Sequence, residues 1–181
     1  MTVALSNGIR LLSGAMFDYN APEKSDVKIY DIAAALSKVC RFSGHLHQFY
    51  SVAQHSVNAS LIVPIEFAFD ALMHDTSEAF TNDIPTPLKF AVPMFKELEV
   101  TIETAMAEKF GFSYPLSDEV VLADSQMLAI EKIHLKRDHS KWEVLEGIDT
   151  SEVFHLVDIS PMAPDVAERL FLERYEDLRP K

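Results

Sequence analysis

Two histidines and two aspartates stand in this chain where a helical protein seldom tolerates them. His55 lies in Ser-Val-Ala-Gln-His-Ser, the doublet His74-Asp75 in Leu-Met-His-Asp-Thr-Ser-Glu, and Asp124 in Leu-Ala-Asp-Ser. Each site falls on a different predicted helix, in apolar surroundings where an imidazole or a carboxylate without a partner is costly. Packed helices can bring such groups together, and two imidazoles with two carboxylates then suit one divalent cation with positions left for water. Mixed nitrogen and oxygen donors favour Zn, Mn, Fe, Co or Ni over Ca or a thiol-selective metal. The doublet points the same way, because helix neighbours diverge by about 100° and a cation above the helix edge lets both side chains reach one point.

The elements that must position these groups read as helices. Glycine occurs only five times, strand-like alternation is sparse, and apolar residues recur at three- and four-residue spacing over most of the chain. Ser25 or Asp26 is read as the cap of a helix from Ile29 to Cys40, followed by a loop from Arg41 to Tyr50. Ser51 caps a helix through Ile62, and Pro64 precedes one from Ile65 to Phe80 that is apolar on nearly all sides and therefore expected to be central. Pro85 and Pro87 make Asn82 to Lys89 a rigid turn rather than a helix. Further helices are expected from Met94 to Phe110, ended by Gly111, from Ser117 to Asp138, and from Pro164 to Leu178. Trp142 to Pro161 reads as irregular, with Val153 to Val157 as a short extended segment. The fold expected is all-α, a helical bundle in a single domain over 1–181.

Composition bounds the function. With 16 basic against 28 acidic residues and a net charge of -12, the chain repels a nucleic-acid backbone, and it holds no run of five basic residues that would reverse this. No apolar stretch approaches the roughly 20 residues needed to span a bilayer, and no basic segment followed by an apolar run opens the chain. The expectation is a soluble, cytoplasmic protein that binds neither nucleic-acid polymer nor membrane. Cys40, the single cysteine, lies in a stretch that reads as helical and suits a buried thiol better than a nucleophile.

The order His55, His74-Asp75, Asp124 resembles the H...HD...D signature of the HD-domain phosphohydrolases. Asp31-Ile32-Ala33 through Leu36, Cys40-Arg41-Phe42, Phe49 through Ser56, His74 through Ala79 and Asp83-Ile84-Pro85-Thr86-Pro87-Leu88-Lys89 resemble the bacterial and phage 5'-deoxyribonucleotidases. The phage dATP triphosphohydrolases share that framework. The likeness spans residues 29 to 135, and His74 to Lys89 is its most specific phrase. It implies an HD-domain bundle in which His55, His74, Asp75 and Asp124 hold a divalent metal, with Co, Zn or Mn as candidates. Such a metal makes water nucleophilic near neutral pH and stabilises charge on phosphoryl oxygens.

The resemblance also implies acid or base roles for Glu78 and Asp83. The residues alone read more blandly, Glu78 as a solvated helix end and Asp83 as a turn residue bonded to backbone amides. Glu78 follows His74 by four residues, hence on the same helix face. Arg41 and Lys89 flank the metal motifs and are the candidate cations for substrate phosphate. Arg41-Phe42 resembles an Arg-Trp pair placed near phosphate and sugar in some family nucleotidases, with Phe standing here for Trp. Pro87 is read equally as a wall of the base pocket or as a stiffener of its loop. His45 and His47 are read as solvated loop residues, and no motif surrounds His134, His139 or His155.

The function expected is hydrolysis of the 5' phosphoester of a 2'-deoxyribonucleotide. The substrate would be a dNMP, or a dNTP such as dATP, and the product phosphate or triphosphate. Two alternatives remain open: a non-catalytic nucleotide-binding module, and an HD hydrolase of cyclic nucleotides or alarmone. The resemblance further implies a homo-oligomer.

Overall fold

A computed structural model describes residues 7–181. The first six residues, on which the reading of the chain's opening partly rests, lie outside the described range. The order begins with a short antiparallel hairpin, β1 (Gly8–Arg10) and β2 (Met16–Asp18), that pairs Ile9 with Phe17. Gly8 is required there, since a Cβ would stand 1.9 Å from the Phe17 carbonyl oxygen. The hairpin was not expected from the sequence, because three-residue strands are too short for alternation to register.

Eight helices follow among the described residues: α1 (Ile29–Leu36), α2 (Val52–Leu61), α3 (Ala68–Met73), α4 (Glu78–Thr81), α5 (Thr86–Ala91), α6 (Pro93–Phe110), α7 (Asp118–His134) and α8 (Pro164–Leu178). The all-α expectation holds. Phe17, Ile32, Leu36, Val52, Leu72, Met73, Ile102, Met106 and Phe171 form the main core, and Phe17 stacks on Phe80 at 3.9 Å. A smaller cluster joins Ala59 of α2 to Met127 and Ile130 of α7.

Several boundaries differ from the sequence reading, each for a local reason. α1 stops at Leu36, and Cys40 is extended and half-buried, bridged to Ser51 and flanked by Val52 N–H donating to Val39 O at 3.0 Å. The start of α1 is capped by neither Ser25 nor Asp26. Asp31 reaches back to accept from the Lys28 N–H at 3.0 Å, while Ser25 Oγ accepts from Asp18 N–H. The expected helix from Ile65 to Phe80 is interrupted at His74–Ser77. There Thr76 N–H bonds to Met73 O, Glu78 N–H to Asp75 O and Ala79 N–H to Thr76 O, the i→i−3 pattern of a tightened turn.

The turn after Thr81 is shorter than expected, and Thr86–Ala91 is helical. Pro87 sits in the first turn of α5, where a missing N–H costs nothing. The expected extended segment at Val153 to Val157 is instead a one-turn 3-10 helix, Phe154–Leu156.

Helix α3 is buried at five of its six residues, as expected for a central element, and α2 beside it is enclosed to the same degree. Helix α2 buries Gln54, His55, Ser56, Asn58 and Ser60 beside its apolar residues. Its amides find partners in the irregular carboxy-terminal stretch. Gln54 donates to Asp158 O and Ser160 O at 3.1 and 2.8 Å, and Asn58 donates to Asp158 O and accepts from Asp158 N–H at 2.9 and 3.2 Å. Polar groups paired in this way can enter a core that would otherwise reject them.

Candidate metal centre

Helix α2 carries His55, the tightened turn after α3 carries His74 and Asp75, and α7 carries Asp124. The two imidazoles face one another, with His55 Nε2 3.3 Å from His74 Nε2. Asp124 Oδ1 lies 3.2 Å from His55 Nε2 and 3.8 Å from His74 Nε2. Asp75 Oδ2 lies 3.6 and 3.2 Å from the same two nitrogens. Neighbouring donors bound to one transition metal at about 2.1 Å stand roughly 3.0 to 3.4 Å apart, so the spacing of His55, His74 and Asp124 suits a single ion, and Asp75 lies at the edge of that set.

Two further observations support the fit. Both Nδ1 atoms are already engaged, His55 with Glu131 Oε1 at 2.6 Å and His74 with Ala71 O at 2.7 Å, which directs both Nε2 lone pairs at the shared point. Asp75 Oδ2 and Glu78 Oε2 are buried without a hydrogen-bond partner, and two such oxygens at one place call for a cation or a proton.

The electrostatics agree. Burial alone would push the His74 imidazole down, but Asp75 and Asp124 hold it well above its ordinary range. His55 is also raised, burial and Arg41 being outweighed by Glu131 and Asp124. Burial would raise Asp75, yet the adjacent His74 imidazole brings it down to about 2. The same balance, led by hydrogen bonds from both imidazoles, holds Asp124 well below the usual carboxylate range. Glu78 goes the other way: burial, then Asp75 and Asp83, push it well above its ordinary value.

The break at His74–Ser77 corrects the spacing argument for Glu78. In a tightened turn of about three residues, i and i+3 align, and Asp75 is the leading charge that acts on Glu78. Burial also excludes its reading as a solvated helix end. Asp83 is half-buried and accepts the Phe42 N–H at 2.9 Å, and burial raises its carboxyl. Phe42 and Ser43 adopt positive φ of 55° and 51°. This costs about 1–2 kcal/mol per residue and comes directly after the buried Arg41.

Arg41 is buried against the cluster, its Nη1 3.7 Å from Asp75 Oδ2, while Nε and Nη2 are held by Glu131 Oε2 at 3.2 and 3.1 Å. Lys89 is half-buried and paired with Glu99 at 2.8 Å, and Pro87 is exposed on α5. Phe42 presents its ring to Trp142 at 6.4 Å. His45 and His47 are exposed.

Glu131 escaped the sequence reading. It is fully buried and bonds both His55 and Arg41. A signal was present: it follows Asp124 by seven residues, two helical turns, so a second carboxylate shares the inward face of α7.

A family model described as 5'-deoxynucleotidase YfbR-like matches residues 46–117. The uncharacterized protein YfdR of Escherichia coli is 48% identical over 171 residues, 94% of each chain. The chain belongs to the YfbR-like family of the HD-domain superfamily. An uncharacterized protein of Rhodobacter capsulatus is 30% identical over 136 residues, 67% of this chain and 69% of its own length. The YfbR-like match ends before Asp124, and it is the packing of α7 on α2 that brings this carboxylate to the centre. The YfbR-like family points to metal-dependent phosphohydrolase chemistry, and the His55, His74 and Asp124 cluster can hold its metal.

Proposed function

We propose that this protein hydrolyses the 5' phosphoester of 2'-deoxyribonucleoside monophosphates, releasing the deoxynucleoside and orthophosphate. The observation that carries the reading is the convergence of two Nε2 atoms and the Asp124 carboxylate, with Asp75 Oδ2 near both imidazoles and a buried, unpaired Glu78 Oε2. The matching family's description as a 5'-deoxynucleotidase supports the substrate class. A monophosphate is favoured over a triphosphate because the nearby cations are already paired, Arg41 with Glu131 and Lys89 with Glu99. That leaves little positive charge for β and γ phosphates.

His55, His74, Asp75 and Asp124 would hold a divalent ion, which when bound supplies an activated water and a counter-charge for the phosphoryl oxygens. Arg41 directs Nη1 towards the phosphate. Glu78 holds a proton at its carboxyl and delivers it to O5' as the P–O5' bond breaks and the water oxygen bonds phosphorus, and a proton released from that water restores the Glu78 carboxyl. Asp83 holds the Phe42 amide and so sets the turn that aims Arg41. A homo-oligomeric assembly belongs to the same proposal and is measured by light scattering.

The test is a panel of dNMPs, dNTPs, rNMPs, cyclic nucleotides and alarmone offered with Co, Mn or Zn, with phosphate and triphosphate products resolved. Phosphate released from dNMPs is the expected result. Triphosphate released from dNTPs would replace the monophosphate reading, and turnover of no nucleotide with any metal would leave a binding module.

A further inference from the structure

We propose that Glu131 is a positioning residue that couples the metal centre to phosphate recognition by gripping His55 with one carboxylate oxygen and Arg41 with the other. The inference rests on the proposed function for the role of Arg41 and on the metal reading for His55. Oε1 stands 2.6 Å from His55 Nδ1, while Oε2 accepts from Arg41 Nε and Nη2 at 3.2 and 3.1 Å. His55 and Glu131 are fully buried and Arg41 is 7% exposed, so water replaces none of these bonds.

Each bond has a separate consequence. Donation of the His55 Nδ1–H to Oε1 leaves Nε2 as the free donor, and that atom is the one beside His74 and Asp124. Occupation of Nε and Nη2 by Oε2 takes up the side edge of the guanidinium, one of its two-pronged faces. Arg41 therefore offers substrate its end, Nη1 and the second hydrogen of Nη2, with Nη1 facing Asp75.

Stability does not account for the arrangement. A buried Arg–Glu pair is often no better than well-packed apolar residues of similar volume, and apolar residues at 41 and 131 would leave His55 Nδ1 unpaired. The placement on α7 adds to the coupling. Asp124 and Glu131 lie two turns apart on one face, so one helix delivers a metal ligand together with the group that orients the ligand opposite. Any shift of α7 along its axis moves both.

The experiment compares wild type, Glu131→Gln and Arg41→Lys. Protein stripped with a chelator is titrated with Co2+ through its visible absorption, and the loaded enzymes are assayed for KM and kcat on a dNMP. Glu131→Gln is expected to weaken Co2+ binding about 10–100-fold and to raise KM, with its helical circular dichroism unchanged. Arg41→Lys is expected to raise KM and to bind Co2+ as the wild type does. Unchanged Co2+ affinity in Glu131→Gln overturns the inference, as does a change in metal affinity without one in KM.

Should Glu131→Gln lose its helical signal, the zinc-loaded wild type decides by nitrogen NMR. His55 must carry its proton on Nδ1, with a strongly downfield resonance, and bind metal through Nε2; a proton on Nε2 overturns the inference. Failure of the wild type to turn over any nucleotide counts against the proposed function, whereas wild-type metal binding in Glu131→Gln counts against the coupling alone.

Discussion

At the scale of single residues, the centre holds two opposed kinds of carboxyl. Asp75 and Asp124 are held low by the imidazoles, while Glu78 is pushed up by burial and by Asp75 and Asp83. Glu78→Gln is expected to lower kcat by about 10²- to 10⁴-fold, the usual worth of a positioned proton donor. Metal content measured by atomic emission should stay at the wild-type level, and a loss of metal would make Glu78 a ligand instead. The imidazoles give a second prediction, for protein stripped of metal. His74 is raised above its ordinary value of 6.5, so its stabilisation is complete below about pH 6.5 and fades as pH rises through the raised value. Asp75 is lowered to about 2 from an ordinary 3.8, so its stabilisation is present above about pH 4 and fades as pH falls towards 2. The stripped protein should therefore melt highest between those limits. Metal needs neutral imidazoles, so the rise in Tm on adding Mn2+ should grow from pH 6 to pH 8. A rise that shrinks over that range would mean the histidines are not ligands.

At the scale of elements, much of the framework was legible because capping chemistry and helical periodicity are local. Ser51 and Ser117 were read as caps from their side chains alone, and each accepts the expected N–H, from Gln54 and Val120. Gly111 ends α6 with φ 80°. What was not legible depends on partners distant in sequence. The tightened turn at His74–Ser77 is invisible to a count of apolar residues, which registers burial but not whether a bond spans three residues or four. The enclosure of α2 was also hidden, since Gln54 and Asn58 look solvent-facing until Asp158 and Ser160 come to meet them. The four candidate metal ligands were singled out by chemistry and order, whereas Glu131 needed the observation that it shares the inward face of α7 with Asp124. The cap of α2 carries a prediction. Ser51→Ala should cost about 1–2 kcal/mol, a fall in Tm of roughly 2–8 °C for a chain of this size. Because His55 lies in the first turn of α2, metal affinity should fall with it, and a stability loss without a metal effect would mean that the rest of the helix holds His55 unaided.

At the scale of the whole molecule, the centre is a junction of chain regions rather than a local motif. His55 comes from α2, His74 and Asp75 from the turn beyond α3, and Asp124 and Glu131 from α7, so their separation is set by how these elements pack. The stretch between α7 and α8 helps to fix that packing. Val153, Val157 and Ile159 lie against Ala59, Met127 and Ile130, and the Asp158 backbone is held in both directions by the Asn58 amide. Arg174 of α8 closes the far end of α2 by donating to Ser60 Oγ and O at 3.0 Å. Asn58→Ala removes the amide from a buried site, takes away the donor to the Tyr50 hydroxyl at 2.9 Å and strands the Asp158 N–H, while Asp158 O keeps Gln54. Leaving a buried polar group unpaired costs about 1–3 kcal/mol, which corresponds to roughly 2–12 °C in Tm. The expected consequence reaches beyond stability, because the segment that bridges α2 to α7 is the one loosened. Hydrogen exchange should quicken across residues 153–162 and at the α7 turn that carries Asp124, and Co2+ affinity should fall although no ligand is altered. Faster exchange confined to α2, with metal affinity as in the wild type, would show that α7 holds its place without the irregular stretch.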